Sequence, residues 1–244
     1  MIQAFLDFIF PKKCVFCGSA LPVGEAIGVC AGCVVKIPYF KGDYLFDSGR
    51  RPSGNSCDRI ICALEYAGIV RRSMSRYKFH ERRDYGNTYA AILSERVIRL
   101  GGSSLYDFVA CVPLSRKRLR ERGYNQAAVL AKYTASFLGL PFAGDLLVRK
   151  NLSLRQSTLR RTERYANVKG AFSVNEKEAR ALYISQHKNK NPEFQNEDSP
   201  LAGARILLVD DIATSMATIN ACAAALKANG ASEVVGAVLA APLF

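Results

Sequence analysis

An α/β fold built on a mostly parallel sheet, preceded by a small cysteine-rich module, is what this 244-residue sequence predicts. Three observations carry that expectation. The run Ile206 to Val209 is unbroken and apolar, the pattern of a strand buried on both faces. Segments of strand and helix period alternate ahead of it, which is the order of a sheet covered by helices. Two Cys-x-x-Cys pairs, Cys14/Cys17 and Cys30/Cys33, stand before that alternation and are separated by twelve residues.

Residues 1–48 form the first unit. Met1 to Phe10 is apolar, but it lacks a basic leading segment, contains Asp7 and runs into Pro11-Lys12-Lys13-Cys14 without a small-residue cleavage site. It reads as an amphipathic lead-in helix and a poor signal peptide, so the expected location is cytoplasmic. No apolar stretch reaches the length of a membrane span. Two Cys-x-x-Cys knuckles bring four thiolates to one tetrahedral zinc, with Gly18 and Gly32 placed for tight turns. A redox pair would normally occur once, at a helix start, and a disulfide framework would imply secretion, so a closed structural zinc site is the reading. Cys57 reads as a surface or core residue or a spare ligand, Cys62 has no comparable partner, and Cys111 and Cys222 fall in apolar strand and helix patterns as small core residues.

The connector Gly49 to Ser56, rich in Gly, Pro, Ser and Arg, marks a boundary, and residues 57–244 form the second unit. Arg59 to Tyr66 reads as a strand, 69–79 as a helix and Tyr85 to Leu100 as a second helix ending at Gly101-Gly102. Leu105 to Val112 reads as the first strand of the main sheet, and Pro113 to Tyr124 as a basic loop. Asn125 is placed to cap a helix reaching Phe137. Leu146 to Val148 is a short strand. Residues 175–201 are polar after Tyr183-Ile184 and read as a mobile surface insertion. The strand Ile206 to Val209 ends at Asp210-Asp211, and a helix from Ile219 to Ala228 stops at Asn229-Gly230.

The net charge of +13 and pI of about 9.5 call for an anionic partner. Residues 71–83 carry six basic side chains against Glu81, and residues 110–170 carry thirteen against Glu121, Asp145 and Glu163. A solvated face is the plain alternative for any such run. Four arginines within seven residues (Arg116, Arg118, Arg120 and Arg122), with Arg72 and Arg76 four apart on one helix face, make nucleic acid or polyphosphate the natural partner.

The stretch from Asp210 to Thr218 carries the most chemistry. A strand followed by a turn and a helix offers free N–H groups and a positive dipole end to a phosphate. Ala213, Thr214, Ser215 and Thr218 supply that turn, and the Asp210 and Asp211 carboxylates suit a sugar diol or a magnesium ion. Any α/β strand can end in Asp-Asp, and so can a receiver-type acidic pocket. The latter pair follows the first strand and has a phospho-acceptor Asp downstream, whereas here no Asp follows. A sugar-phosphate pocket is the preferred reading.

This loop resembles the phosphoribosyl-pyrophosphate loop of type I phosphoribosyltransferases, with Met216 standing where that loop has glycine. The block Val112 to Ala127, with Lys78-Phe79, Arg82-Arg83, Gln156, Leu159 and Arg164 to Phe172, further resembles the ComF family, whose members join a zinc ribbon to a phosphoribosyltransferase-like domain. Glu81, in place of a usual glycine, and the 175–201 insertion depart from the family pattern. The resemblance implies a type I phosphoribosyltransferase-like sheet with helices on both faces, and a competence-associated protein of DNA uptake. It implies contacts from Ser115, Arg116 and Lys117 to pyrophosphate, magnesium bound with phosphoribosyl pyrophosphate, and a closing loop over 152–168 with Arg155, Arg160, Arg161 and Arg164. Single-stranded DNA is the implied partner for Arg72, Arg76, Arg118, Arg120 and Arg122, and other DNA-uptake proteins are further partners. An active phosphoribosyltransferase on an unknown acceptor is the alternative. His80 and His187 have no partner that points to nucleophilic catalysis.

Overall fold

The computed structural model describes residues 11–22, 24, 28–47, 55–79, 82–150, 170–187, 199–214 and 216–242. The lead-in segment, most of the 49–56 connector, the 152–168 segment with its four arginines, His80, Glu81 and Ser215 lie outside the described residues. The elements are α1 (Ala31–Val34), β1 (Phe46–Asp47), β2 (Arg59–Glu65), α2 (Gly68–Phe79), α3 (Tyr85–Arg99), β3 (Phe108–Cys111), α4 (Arg116–Arg122) and α5 (Gln126–Leu138). There follow β4 (Phe142–Ala143), β5 (Leu147–Arg149), β6 (Phe172–Val174), α6 (Glu176–His187), β7 (Arg205–Ile212), α7 (Ala217–Lys227) and β8 (Glu233–Ala241).

A six-stranded sheet runs β1-β2-β8-β7-β3-β4, parallel throughout except for β1 on the edge. Its central strands are continuous apolar runs because both of their faces are covered. Alternate residues divide between two cores. Ile61, Val109, Leu207, Val209 and Val235 pack with α2, α3 and α5, whereas Ile60, Phe108, Ile206, Leu208 and Val234 pack with α7 and the β5–β6 ribbon.

Three expectations need correction. Residues 108–111 are not the first strand of the sheet, because β2 already pairs in parallel with β8 through Ile60, Ile61 and Cys62. The basic loop contains a helix, α4. Ser115 Oγ caps it by accepting the Arg118 N–H (3.3 Å), Arg, Lys, Leu and Glu favour helix, and Gly123 ends it at φ 71° with its N–H on the Leu119 carbonyl. The short strand expected at 146–148 is present as β5, which lies outside the main sheet and pairs antiparallel with β6. The first half of the polar insertion is helix α6, anchored by Ala179, which is fully buried in the second core. Asn125 caps α5 as expected, its side chain accepting the Ala127 N–H at 3.1 Å.

The cysteine module shares the first core. Val15, Phe16, Leu21, Val29 and Ile37 are buried with Met74, Tyr77 and Tyr89, and the Phe16 ring lies 6.2 Å from that of Tyr89. Ser73 donates its hydroxyl to the Val15 carbonyl, and Arg76 donates to the carbonyls of Val15 (3.0 Å) and Phe16 (2.7 Å). After the module the chain passes along the β2 edge, where the Phe40 N–H meets the Ala63 carbonyl and the Leu45 N–H that of Ile60.

Candidate functional site at the carboxyl edge of the sheet

From β3 the chain continues to β4 on one side, and from β7 it continues to β8 on the other. The two strands are neighbours, with Cys111 opposite Val209, so the loops leaving their carboxyl ends diverge and open a crevice. Such a switch point is where open α/β sheets bind ligands. Residues 112–115 and α4 flank it on the β3 side, and residues 210–214 with the start of α7 flank it on the β7 side.

Asp210 is half-buried, and its Oδ1 accepts the Asp211 N–H at 2.8 Å. Burial first, and then the charge of Asp211, push the Asp210 carboxyl up to about 7, against the pull of that hydrogen bond, Lys78 and Arg118. Asp211 is buried and pairs with Lys78, Nζ to Oδ2 at 3.1 Å. Arg118 is thus one of the positive charges that act on Asp210, and the weakest of those named. Arg149 on β5 stands close enough to Arg118 that the two positive charges oppose each other. Its guanidinium is held below its usual range by burial and then by Arg118, and it lies over the Phe172 ring.

The last turn of α2 is tied on every side. Tyr77 is fully buried and donates its hydroxyl to the Gln126 carbonyl (2.9 Å), while the Tyr77 carbonyl accepts from the Tyr124 hydroxyl. The Phe79 ring lies under the Arg122 guanidinium, which also donates to Gln126 Oε1 at 2.9 Å. The Tyr77, Tyr89 and Tyr85 rings pack edge to face behind this turn.

The structure sorts the residues expected at the site. Asp210 and Asp211 lie at the carboxyl end of β7, Thr214 is exposed on the turn that follows, and Thr218 lies in the first turn of α7. Ser115 caps α4, and Arg116 and Lys117 are exposed on its first turn. Ala213 is corrected: it is buried, and its N–H is spent on the Ala240 carbonyl (3.1 Å), so it has no donor for a phosphate. Arg118 and Arg120 are exposed, whereas Arg122 is half-buried and engaged. Arg76 is also corrected: its two carbonyl bonds spend it on the cysteine module, leaving Arg72 as the exposed member of that pair. Met216 does not crowd the turn. Its backbone is right-handed (φ −71°), a conformation any residue adopts, and its side chain packs on the second core. Met216 is the N-cap of α7 and offers no side-chain cap, so the helix's first-turn N–H groups are free of one. Sequence reasoning missed the roles of Lys78 and Arg149, since neither pairing leaves a local pattern.

The four cysteine sulfurs, Cys14, Cys17, Cys30 and Cys33, lie within 4.8 Å of one another, and Cys17 and Cys30 are 3.6 Å apart. A metal with sulfur bonds of about 2.3 Å holds its ligands about 3.8 Å apart, so the quartet fits a tetrahedral ion. Gly18 takes φ 83° in the first knuckle, returning its N–H to the Cys14 carbonyl, while Gly32 lies inside α1. Magnesium at the acidic pair fits poorly, because the Lys78 ammonium already holds the Asp211 carboxylate.

These features define a class: a four-cysteine module packed on a mostly parallel α/β sheet with an acidic strand end at its switch point. No family model matches the chain. It is 26% identical over 240 residues to competence protein F of Haemophilus influenzae, covering 92% of this chain and 95% of that protein. It is 25% identical over 224 residues to the DNA utilization protein YhgH of Salmonella typhi, covering 91% and 80%. The chain is a homologue of these proteins, named competence protein F and DNA utilization protein YhgH. Two solved structures, the allosteric regulatory enzyme of purine biosynthesis (TM-score 0.38, 16% identity, 67% of this chain and 29% of that one) and TT1426 of Thermus thermophilus (TM-score 0.35, 20% identity, 64% and 74%), are too distant to add to that assignment. Among the described residues no helix is long and apolar enough to cross a membrane.

Proposed function

We propose that this protein handles DNA during competence, binding single-stranded DNA through its basic face and phosphoribosyl pyrophosphate or a related sugar phosphate at the sheet's switch point. The carrying observation is the convergence of two chemistries on one crevice: the arginine helix after β3 and the Asp210–Thr218 loop after β7, with Arg118 acting on Asp210. The names of the relatives, competence protein F and DNA utilization protein, support the process. The first turn of α7, which holds Thr218 and is not capped by the Met216 side chain, suits a 5′-phosphate, and Asp210 suits a ribose hydroxyl. Exposed Arg72, Arg118 and Arg120 suit a nucleic-acid backbone. We assign zinc to the cysteine quartet, in a closed structural role, because four thiolates favour it over harder divalent ions. Action in the cytoplasm, alongside other DNA-uptake proteins, follows from this reading.

A phosphoribosyltransferase reaction on an unknown acceptor is the second reading, favoured by the same loop. Separate titrations with phosphoribosyl pyrophosphate and with an unstructured single strand test the proposal. Saturable binding of both is expected, with the DNA affinity falling steeply as salt rises. Failure of either ligand to bind at low salt removes that half of the reading.

A further inference from the structure

We infer that Lys78 is the resident counter-ion of the Asp210–Asp211 pair, so that this crevice takes a phosphorylated ribose without a divalent cation on the two carboxylates. The inference rests on the sugar-phosphate reading of the loop and specifies how that site is charged.

Lys78 Nζ lies 3.1 Å from Asp211 Oδ2, and the two side chains are only 16% and 11% exposed. The pair is thus largely withdrawn from water, and a second cation at that oxygen would stand against the ammonium at short range. The backbone that carries Lys78 is held in place, because residues beside it on α2 are tied to different parts of the protein. Arg76 is bonded to the carbonyls of Val15 and Phe16, Tyr77 is bonded through both its hydroxyl and its carbonyl, and Phe79 lies under Arg122. Three anchors within the last turn of one element fix the backbone from which Lys78 reaches Asp211, and its side chain is largely withdrawn from solvent. Magnesium demands near-ideal octahedral oxygen geometry and gives up its water reluctantly. A carboxylate already bound by an ammonium, beside a carboxyl whose Oδ1 is committed to the Asp211 N–H, offers it little. A ribose diol makes no such demand, since its hydroxyls donate to the remaining carboxylate lone pairs while Lys78 balances the charge. The magnesium expected from the family resemblance therefore has no place on these carboxylates, and Lys78 performs its electrostatic task there.

The test uses zinc-loaded full-length protein and two probes, ribose 5-phosphate and Mn²⁺. Ribose 5-phosphate, which lacks the pyrophosphate that itself binds magnesium, is titrated in EDTA and again in excess magnesium. The expected affinities agree within about twofold, because the charge balance is internal. Lys78→Met should weaken binding in EDTA by about tenfold or more and regain it with magnesium. Mn²⁺ followed by electron paramagnetic resonance should find a site in Lys78→Met that the wild type lacks and that Lys78→Met/Asp211→Asn loses again. Wild-type binding that collapses in EDTA overturns the inference, as does a wild-type Mn²⁺ site abolished by Asp211→Asn. Absence of ribose 5-phosphate binding in both buffers overturns the sugar-phosphate reading and this inference with it, whereas the Mn²⁺ arm then shows separately whether Lys78 guards the carboxylates. The wild-type arms decide the matter even if Lys78→Met fails to fold.

Discussion

Asp210→Asn should make the protein more stable, and by an amount that depends on pH. The Asp210 carboxyl rises from 3.8 to about 7 in the folded chain, chiefly because burial disfavours its charge and next because Asp211 stands beside it. A carboxyl with a raised folded pKa binds its proton more tightly in the folded state than in the unfolded one. Its ionisation therefore costs stability: the penalty is absent below about pH 4, grows through the interval from 3.8 to 7, and is complete above it. At about 1.4 kcal/mol per unit the full shift corresponds to about 4 kcal/mol, and partial exposure of the side chain screens this to about 2 kcal/mol. Asparagine keeps the oxygen that accepts the Asp211 N–H and removes only the charge. Urea unfolding of the wild type and Asp210→Asn, followed by circular dichroism in zinc-containing buffer, should show the variant more stable by about 2 kcal/mol at pH 8 and by about 1 kcal/mol or less at pH 5. A variant less stable than the wild type at pH 8, or an advantage that does not change with pH, would refute the argument that this loop stores unfavourable charge.

Metal analysis should find about one zinc per chain. Because Phe16 and Val15 share a core with Tyr89 and Tyr77, Cys14→Ser should speed hydrogen exchange in α2 and α3 as well as in the module, and Phe16→Ala should cost about 3–5 kcal/mol; exchange confined to residues 11–37 would contradict the shared core. Arg118→Ala/Arg120→Ala should weaken single-strand binding alike for unrelated sequences and shallow the logarithmic salt slope by about 1.4, at about 0.7 for each phosphate no longer neutralised. Arg76→Ala should instead lower stability and leave that slope unchanged, which a salt titration beside a melting curve distinguishes. Met216→Gly should leave sugar-phosphate affinity unchanged while costing about 1 kcal/mol of stability, since the side chain packs on the core and its φ needs no glycine.

What could be read in the sequence was what is local. Ile206 to Val209 announces a doubly covered strand because burial on both faces leaves no polar position to interrupt the run. The cysteine quartet is legible because each knuckle is four residues long, and Asn125 because a cap acts two residues away. The arginine helix was legible too, in Ser115 and Gly123 at its ends, but its charge made it look like a loop. The rest depends on residues distant in the chain. Lys78 meets Asp211, and Arg76 meets Val15 and Phe16, only after β2, α2 and β7 have been assembled. The place of Met216 likewise follows from the core beneath it and not from the family's glycine.

The central claim is that one crevice at the β3–β7 switch point holds a sugar phosphate on the 210–218 loop. Isothermal titration of zinc-loaded protein with phosphoribosyl pyrophosphate tests it most directly, comparing the wild type with Asp211→Asn and Thr218→Val. The wild type should bind at one site, and each variant should lose about tenfold to a hundredfold in affinity, as expected for about 1.5–3 kcal/mol per charge-assisted hydrogen bond. No binding by the wild type, or binding that both variants retain in full, would contradict the account.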